Sequence, residues 1–258
     1  MINRINTRAL LICLLLLSCH KVTPEQFDSD KQLFEQANKR FESGDLADAT
    51  LFYENLKNRF PSSPYAADSE LRIADAQFEK GTYDESAISY ENFRVLHPSH
   101  PKVPYSLFRS GLSYYRDAPK AIDRDQTNLE KAIRTLAEVS EKWPASEEAK
   151  LAAPLQSKAK KSLLRRELYI AHFYERNKKY EAAIARYNNV RSQTEFPDLS
   201  DESTYGVANM QIKLKQYDEA QKSLAPILEN SGSTYFKKAK ELDARLQTKL
   251  KDSEKKPG

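Results

Sequence analysis

Glycine is scarce in this chain, with six in 258 residues, which argues against a β-rich fold whose turns draw on glycine. Long apolar runs are missing too. The longest, Ala9–Leu17 (ALLICLLLL), falls well short of the roughly 20 residues that a membrane-spanning helix needs. Neither sign of charge dominates, with 41 Lys and Arg against 37 Asp and Glu, and no basic run is interleaved with stacking aromatics. A nucleic-acid partner is therefore not indicated. Cysteine occurs only twice, at Cys13 and Cys19. What is present is 30% charged residues and a mean hydropathy of −0.73, beside 10% aromatics that include 14 Tyr. That aromatic content excludes a disordered chain. Tyrosine buries a ring while its hydroxyl reaches water, which suits thin layers of solvated helices.

Arg4 and Arg8 precede the apolar run, the order found in a secretory signal peptide. Leu16, Leu17, Ser18 and Cys19 then resemble the bacterial lipobox, a small residue followed by an obligatory cysteine. The resemblance implies that residues 1–18 are removed and that Cys19 is lipidated on its thiol and acylated on its new amine. More than one chain matters, because a single acyl chain gives only marginal membrane binding. Cys13 leaves with the leader and Cys19 carries lipid, so no cysteine remains for a disulfide. Two basic residues leave as well, so the mature balance is 39 against 37. His20, where an Asp would signal retention at the inner membrane, points by the same resemblance to the periplasmic face of the outer membrane. Residues 19–28 are expected to form a flexible tether.

The remaining sequence repeats. Gly44-Asp-Leu-Ala-Asp-Ala49, Gly81-Thr-Tyr-Asp-Glu-Ser86, Lys179-Tyr-Glu-Ala-Ala183 and Gln216-Tyr-Asp-Glu-Ala220 each look like the turn and second-helix start of a tetratricopeptide repeat. With that Tyr or Leu taken as zero, offsets 0, 3, 7 and 10 give Leu46/Ala49/Tyr53/Leu56 and Tyr83/Ser86/Tyr90/Phe93. Three further copies are Leu129/Ala132/Leu136/Val139, Tyr180/Ala183/Tyr187/Val190 and Tyr217/Ala220/Leu224/Ile227. These offsets trace one face of an α-helix, and the small residue at offset 3 lets a partner helix approach. Pro61, Pro98 and Pro144 at offset 15, with Pro197 two residues late and Gly232 in the last copy, set the helix exits.

First helices are expected near 29–42, 66–79, 104–116, 162–177 and 202–214. An inserted loop is expected at 117–126 and an extra helical stretch at 146–161. The spacing predicts an all-α tetratricopeptide-repeat superhelix of five helix pairs. Repeats one and two occupy 29–100, repeats three to five 104–232, a capping helix 233–250 and a disordered tail 251–258.

No catalytic constellation emerges. His97 and His100 share a repeat-end loop without a carboxylate or thiol nearby, and His172 sits beside Phe173 and Tyr174 on a first helix. P-loop, metalloprotease-helix and nucleophile-elbow motifs do not occur. The expectation is a non-enzymatic scaffold without cofactor or metal, carrying only the covalent lipid at Cys19. Inward positions of the first helices, Asn38, Phe41, Asp75, Phe78, Tyr105, Phe108 and Tyr115, mix aromatic and polar groups. Such a groove suits an extended peptide or a partner helix.

The run from Phe93 through His97, Pro98, His100 and Pro101 to Tyr105, followed by Leu107-Phe-Arg-Ser-Gly111-Leu112, resembles a segment of the BamD (ComL) family, lipoproteins of the outer-membrane β-barrel assembly machinery. Asp123-Arg124-Asp125 in the inserted loop, Glu167-Leu-Tyr-Ile-Ala171 and Ala182-Ala-Ile-Ala-Arg186 extend the resemblance over about residues 30–230. It implies a lipid-anchored subunit that binds the periplasmic POTRA region of a BamA-like barrel subunit through its C-terminal repeats, with Arg186 at that contact. It also implies other assembly lipoproteins as partners, and unfolded outer-membrane proteins whose targeting strands dock in the N-terminal repeats. An alternative reading is another periplasmic repeat lipoprotein, acting as an envelope or division adaptor.

Overall fold

A computed structural model describes residues 22–254 of the chain. The expected leader and Cys19 lie outside the described residues. Among the described residues there are eleven α-helices and a short 3-10 turn at Pro24–Gln26, with no strand. In chain order the helices are α1 (Asp30–Glu42), α2 (Leu46–Arg59), α3 (Ala66–Lys80), α4 (Tyr83–Leu96), α5 (Val103–Asp117) and α6 (Thr127–Lys142). They continue with α7 (Glu147–Arg176), α8 (Tyr180–Arg191), α9 (Pro197–Lys213), α10 (Tyr217–Glu229) and α11 (Phe236–Glu254). No described helix is long and apolar enough to cross a membrane. The fold is all-α, of the tetratricopeptide-repeat type, and divides into two compact units, Met1–Ser89 and Tyr90–Gly258.

The repeat register explains the helix boundaries. In four of the five copies the residue two before the zero position, Gly44, Gly81, Lys178 or Lys215, has a positive φ, between 57° and 82°. Each sits in the same C-terminal cap, where the next amide reaches back five residues: Asp45 to Arg40, Thr82 to Gln77, Lys179 to Tyr174 and Gln216 to Gln211, at 2.9–3.1 Å. This satisfies a carbonyl the helix would otherwise leave unpaired. Glycine holds the left-handed position freely, whereas lysine holds it at a cost. The third copy replaces this tight turn with the inserted loop, whose carbonyls are gathered by Gln126. That buried side chain donates to the carbonyls of Pro119, Ala121 and Arg124.

Exits follow proline as expected. Phe60 and Trp143, immediately before Pro61 and Pro144, have left the helical region with ψ near 60°. Pro197 behaves differently. It is the first residue of α9 rather than the exit of α8, so the first helix of copy five begins five residues earlier than the expected 202. Proline is tolerated there because the first N–H of a helix has no partner to lose. The extra stretch at 146–161 and the first helix of copy four fuse into the 30-residue α7, which runs through Pro154. Pro154 and Lys150 are both exposed, so water can reach the Lys150 carbonyl that proline leaves unpaired.

Offsets 3, 7 and 10 are buried in all five copies, and the five small residues Ala49, Ser86, Ala132, Ala183 and Ala220 are wholly inaccessible. Unit one is built on Leu33, Ala37, Phe52, Tyr53 and Leu56, with Phe34, Phe41, Phe60 and Tyr65 packed against them. Its expected tether is partly anchored: Pro24 is buried, and Phe27 meets Phe52 edge-on at 5.8 Å. In unit two, consecutive helices from α5 to α11 pack on one another. One cluster gathers Leu168, Tyr187, Val190, Phe196 and Met210, and a second joins Leu224 and Ile227 of α10 to Ala239 and Leu242 of α11. Each large side chain buried this way contributes about 1.5–3 kcal/mol. The expected cap is therefore a packed helix. It continues to Glu254, four residues into the segment read as a disordered tail.

Candidate functional site

In unit one, Asn38, Phe41, Glu42, Gly44, Leu46, Arg72 and Glu79 line a groove of about 500 Å³. Asn38 and Phe41 come from the inward face of α1, as the repeat register predicts. Tyr53 reaches across from α2 and donates its hydroxyl to Asn38 Oδ1 at 2.6 Å, which leaves the amide NH2 of Asn38 to donate elsewhere. Burial holds the Tyr53 phenol proton well above its ordinary pKa, so Tyr53 is a fixed donor. Arg72 lies with its guanidinium carbon 5.3 Å from the centre of the Phe41 ring and its Nη1 3.5 Å from Asp75 Oδ2.

Asp75 is 6% exposed, so it does not line the groove as expected; it sits beneath Arg72 and orients it. Phe78 is turned against Tyr83, edge-on at 5.1 Å, rather than into the groove. The resulting surface carries one aromatic face, one amide, two carboxylates and one half-exposed guanidinium. It can grip a peptide by hydrogen bonds and ring contact.

Tyr105, Phe108 and Tyr115 belong to unit two. All three are half-buried and share one side of α5, while Ser106, Leu107, Ser110, Ser113 and Tyr114 are buried against neighbours. Tyr105 stands edge-on to Tyr90 at 6.4 Å, and Arg109 donates to the Tyr90 hydroxyl at 3.1 Å.

Arg186 on α8 directs Nη1 at both oxygens of Glu167 on α7, at 3.2 and 3.3 Å, and Asn189 donates to the same carboxylate at 3.0 Å. A pair this exposed adds at most about 1 kcal/mol to stability. Its consequence is positional, because it fixes the guanidinium at the surface with further N–H groups to offer.

The sequence placed His172 on a first helix without its partners. It is the hub of a polar network spanning α7, α8 and α9. Its Nε2 lies 3.0 Å from Glu202, and its Nδ1 lies 2.8 Å from the Tyr187 hydroxyl and 3.4 Å from Glu175. Tyr187 donates to Glu175 at 2.8 Å, and Asn209 donates to the other Glu175 oxygen at 3.3 Å. The hydrogen bond to Glu202 favours the imidazolium and raises the His172 pKa against the opposing effect of burial. Burial pushes the Tyr187 phenol upward as well, and Tyr235 up to about 12. Glu175 was readable as the i+3 neighbour of His172, whereas Glu202 required the packing of α9 on α7. No group of three or more His, Cys, Asp and Glu side chains among the described residues is arranged to hold a metal.

A family profile described as "YfiO: Outer membrane lipoprotein" matches residues 26–224. A protein named "Outer membrane protein assembly factor BamD" from Neisseria gonorrhoeae is 27% identical over 202 residues, covering 75% of this chain and 74% of that protein. One of the same name from Pasteurella multocida (strain Pm70) is 24% identical over 220 residues, covering 80% and 83%. Among solved structures, the TPR2AB-domain:pHSP90 complex of yeast Sti1 is similar at a TM-score of 0.47 and 14% identity, over 86% of this chain and 84% of that one.

Proposed function

The chain belongs to the YfiO family of outer membrane lipoproteins, and from that premise we propose that it is a binding scaffold of outer-membrane protein assembly. The observation that carries this reading is the extent of the likeness. The family match runs from the anchored N-terminal segment to α10, and the relatives named as assembly factors align over three quarters of the chain or more. In the finer proposal the protein is held to the periplasmic face of the outer membrane by lipid on Cys19 and works without catalysis. The groove of unit one receives the extended targeting strand of an unfolded outer-membrane protein, with strand side chains on Phe41 and strand amides and carbonyls on Asn38, Arg72 and Glu79. The C-terminal repeats bind the periplasmic POTRA region of a BamA-like barrel subunit, with Arg186 offered to a partner carboxylate. Other assembly lipoproteins complete the complex.

The test is affinity purification of the tagged, full-length lipoprotein from detergent-solubilised outer membrane, with mass spectrometry of the co-purifying chains. A barrel protein with periplasmic POTRA repeats, recovered in near-stoichiometric amount, is the expected result. Its consistent absence, with envelope or division proteins in its place, would sink the proposal.

A further inference from the structure

Among the described residues, no helix covers one face of α7. In its C-terminal half, Leu168 and Ala171 are buried against neighbours, while Arg165, Tyr169, Phe173 and Arg176 are exposed. Spacings of four, four and three place these four residues on a single stripe. Tyr169 and Phe173 are 41% and 49% exposed, so two aromatic rings one helical turn apart stand in water. A guanidinium flanks them at either end, the two carrying positions eleven residues apart, or roughly 16 Å along the axis.

Among the described residues these two cations have no ion-pair partner, for a structural reason. The acids nearest to them on α7 are already committed, Glu167 to Arg186 and Asn189, and Glu175 to Tyr187, His172 and Asn209. Arg166, the adjacent cation, faces Asp125 from the inserted loop. Arg165 and Arg176 make no ion pair with any described residue. The chain therefore leaves a positively ended, aromatic-centred stripe on a helix rigidly packed on its opposite side.

We infer that this stripe docks an acidic segment of a partner protein, with apolar side chains over Tyr169 and Phe173 and one carboxylate at each end, on Arg165 and on Arg176. Arginine at both ends suits carboxylates, since its planar fork can hold both oxygens at once. The span corresponds to about five residues of extended strand or eleven of helix. A lipid surface fits less well. Anionic headgroups attract each cation by only about 1 kcal/mol, and two half-exposed rings on a fixed helix insert little apolar area. Glu167 lies two positions from Arg165, about 200° around the helix, so this face differs from the one that carries the Arg186 pair. The inference does not depend on the assembly reading.

The test uses the full-length lipoprotein in its native envelope, with the photo-crosslinker p-benzoylphenylalanine placed at Tyr169 and, as a control, at the exposed Glu181. The expected adduct is a protein at position 169, absent at 181, whose crosslinked peptide carries two acidic residues flanking apolar ones. The double variant Arg165→Glu, Arg176→Glu should lower the yield about tenfold at unchanged helical content, and reversing the partner's two acids should restore it. A lipid adduct, no adduct specific to position 169, or a yield indifferent to the charge reversal would each overturn the inference. To separate poor folding from lost docking, Tyr169→Ala alone should lower binding of the purified partner segment without shifting the thermal unfolding of this chain. Unaltered binding would count against the stripe.

Discussion

Gly206→Ala adds one methyl group to α9, and the packing of that helix decides the sign of its effect. On propensity alone the change should stabilise a helix interior, by about 1 kcal/mol. The added carbon, however, would lie 2.7 Å from Cζ of Tyr187 and 2.8 Å from both Cε atoms. That ring cannot step aside easily. Tyr187 is 1% exposed, and its hydroxyl is tied to Glu175 and His172 at 2.8 Å. Overpacking of this kind costs about 1–3 kcal/mol, and a loosened hydrogen bond adds about 1 kcal/mol. Against the propensity gain, a net loss of about 1–3 kcal/mol remains, or a fall in Tm of about 2–12 °C for a unit of this size. Thermal unfolding followed by circular dichroism of the lipid-free mature chain measures it. In a Tyr187→Ala background the same glycine substitution should become neutral or stabilising, because the obstacle is gone. A Gly206→Ala protein as stable as its parent, or equal costs in both backgrounds, would refute the close approach of α9 to α8.

Lys178→Gly and Lys215→Gly should each raise stability by about 1 kcal/mol, because both lysines hold a left-handed conformation that Gly44 and Gly81 hold freely; a lower denaturation midpoint for either would contradict this. His172 has its pKa raised in the folded state by Glu202, so its charged form supports stability fully below about pH 6.5 and loses that support as pH climbs through the raised value. His172→Gln should therefore cost more Tm at pH 5.5 than at pH 8.5, and equal costs at both would show that the imidazolium contributes nothing. Arg186→Glu should weaken co-purification of the barrel subunit at normal helical content. The swap with Glu167→Arg should restore the internal pair but not the partner; full recovery of binding in the swap would mean that Arg186 acts only inside the chain. Cys19→Ala should leave the protein out of the detergent phase, and continued outer-membrane fractionation would speak against the lipid anchor.

The helical register was legible because one physical requirement recurs. Every second helix needs a small residue at offset 3 and large apolar residues at 7 and 10, and these positions are buried in each copy. Proline was less informative, since it both ends helices and begins them: Pro61 follows α2 as read, Pro197 opens α9, and Pro154 lies within α7 where solvent serves the orphaned carbonyl. Among the groove residues, Asn38 and Phe41 were readable from their inward positions. The burial of Asp75 was not, because it depends on Arg72 lying over it, one turn earlier on the same helix. The network around His172 was illegible for a related reason: Glu202 is 30 residues away and arrives only when α9 packs against α7. Periodicity reports which face of a helix is buried; it does not report which polar groups meet across it.

Depletion in the native organism shows whether this chain serves the assembly of outer-membrane proteins. With the gene under a repressible promoter, folded barrel proteins in the outer membrane are quantified by their resistance to unfolding on gel electrophoresis without heating. Folded barrel proteins should fall as the chain is depleted and recover on re-expression of the wild-type lipoprotein. Normal levels of folded barrel proteins in cells lacking the chain would contradict that role.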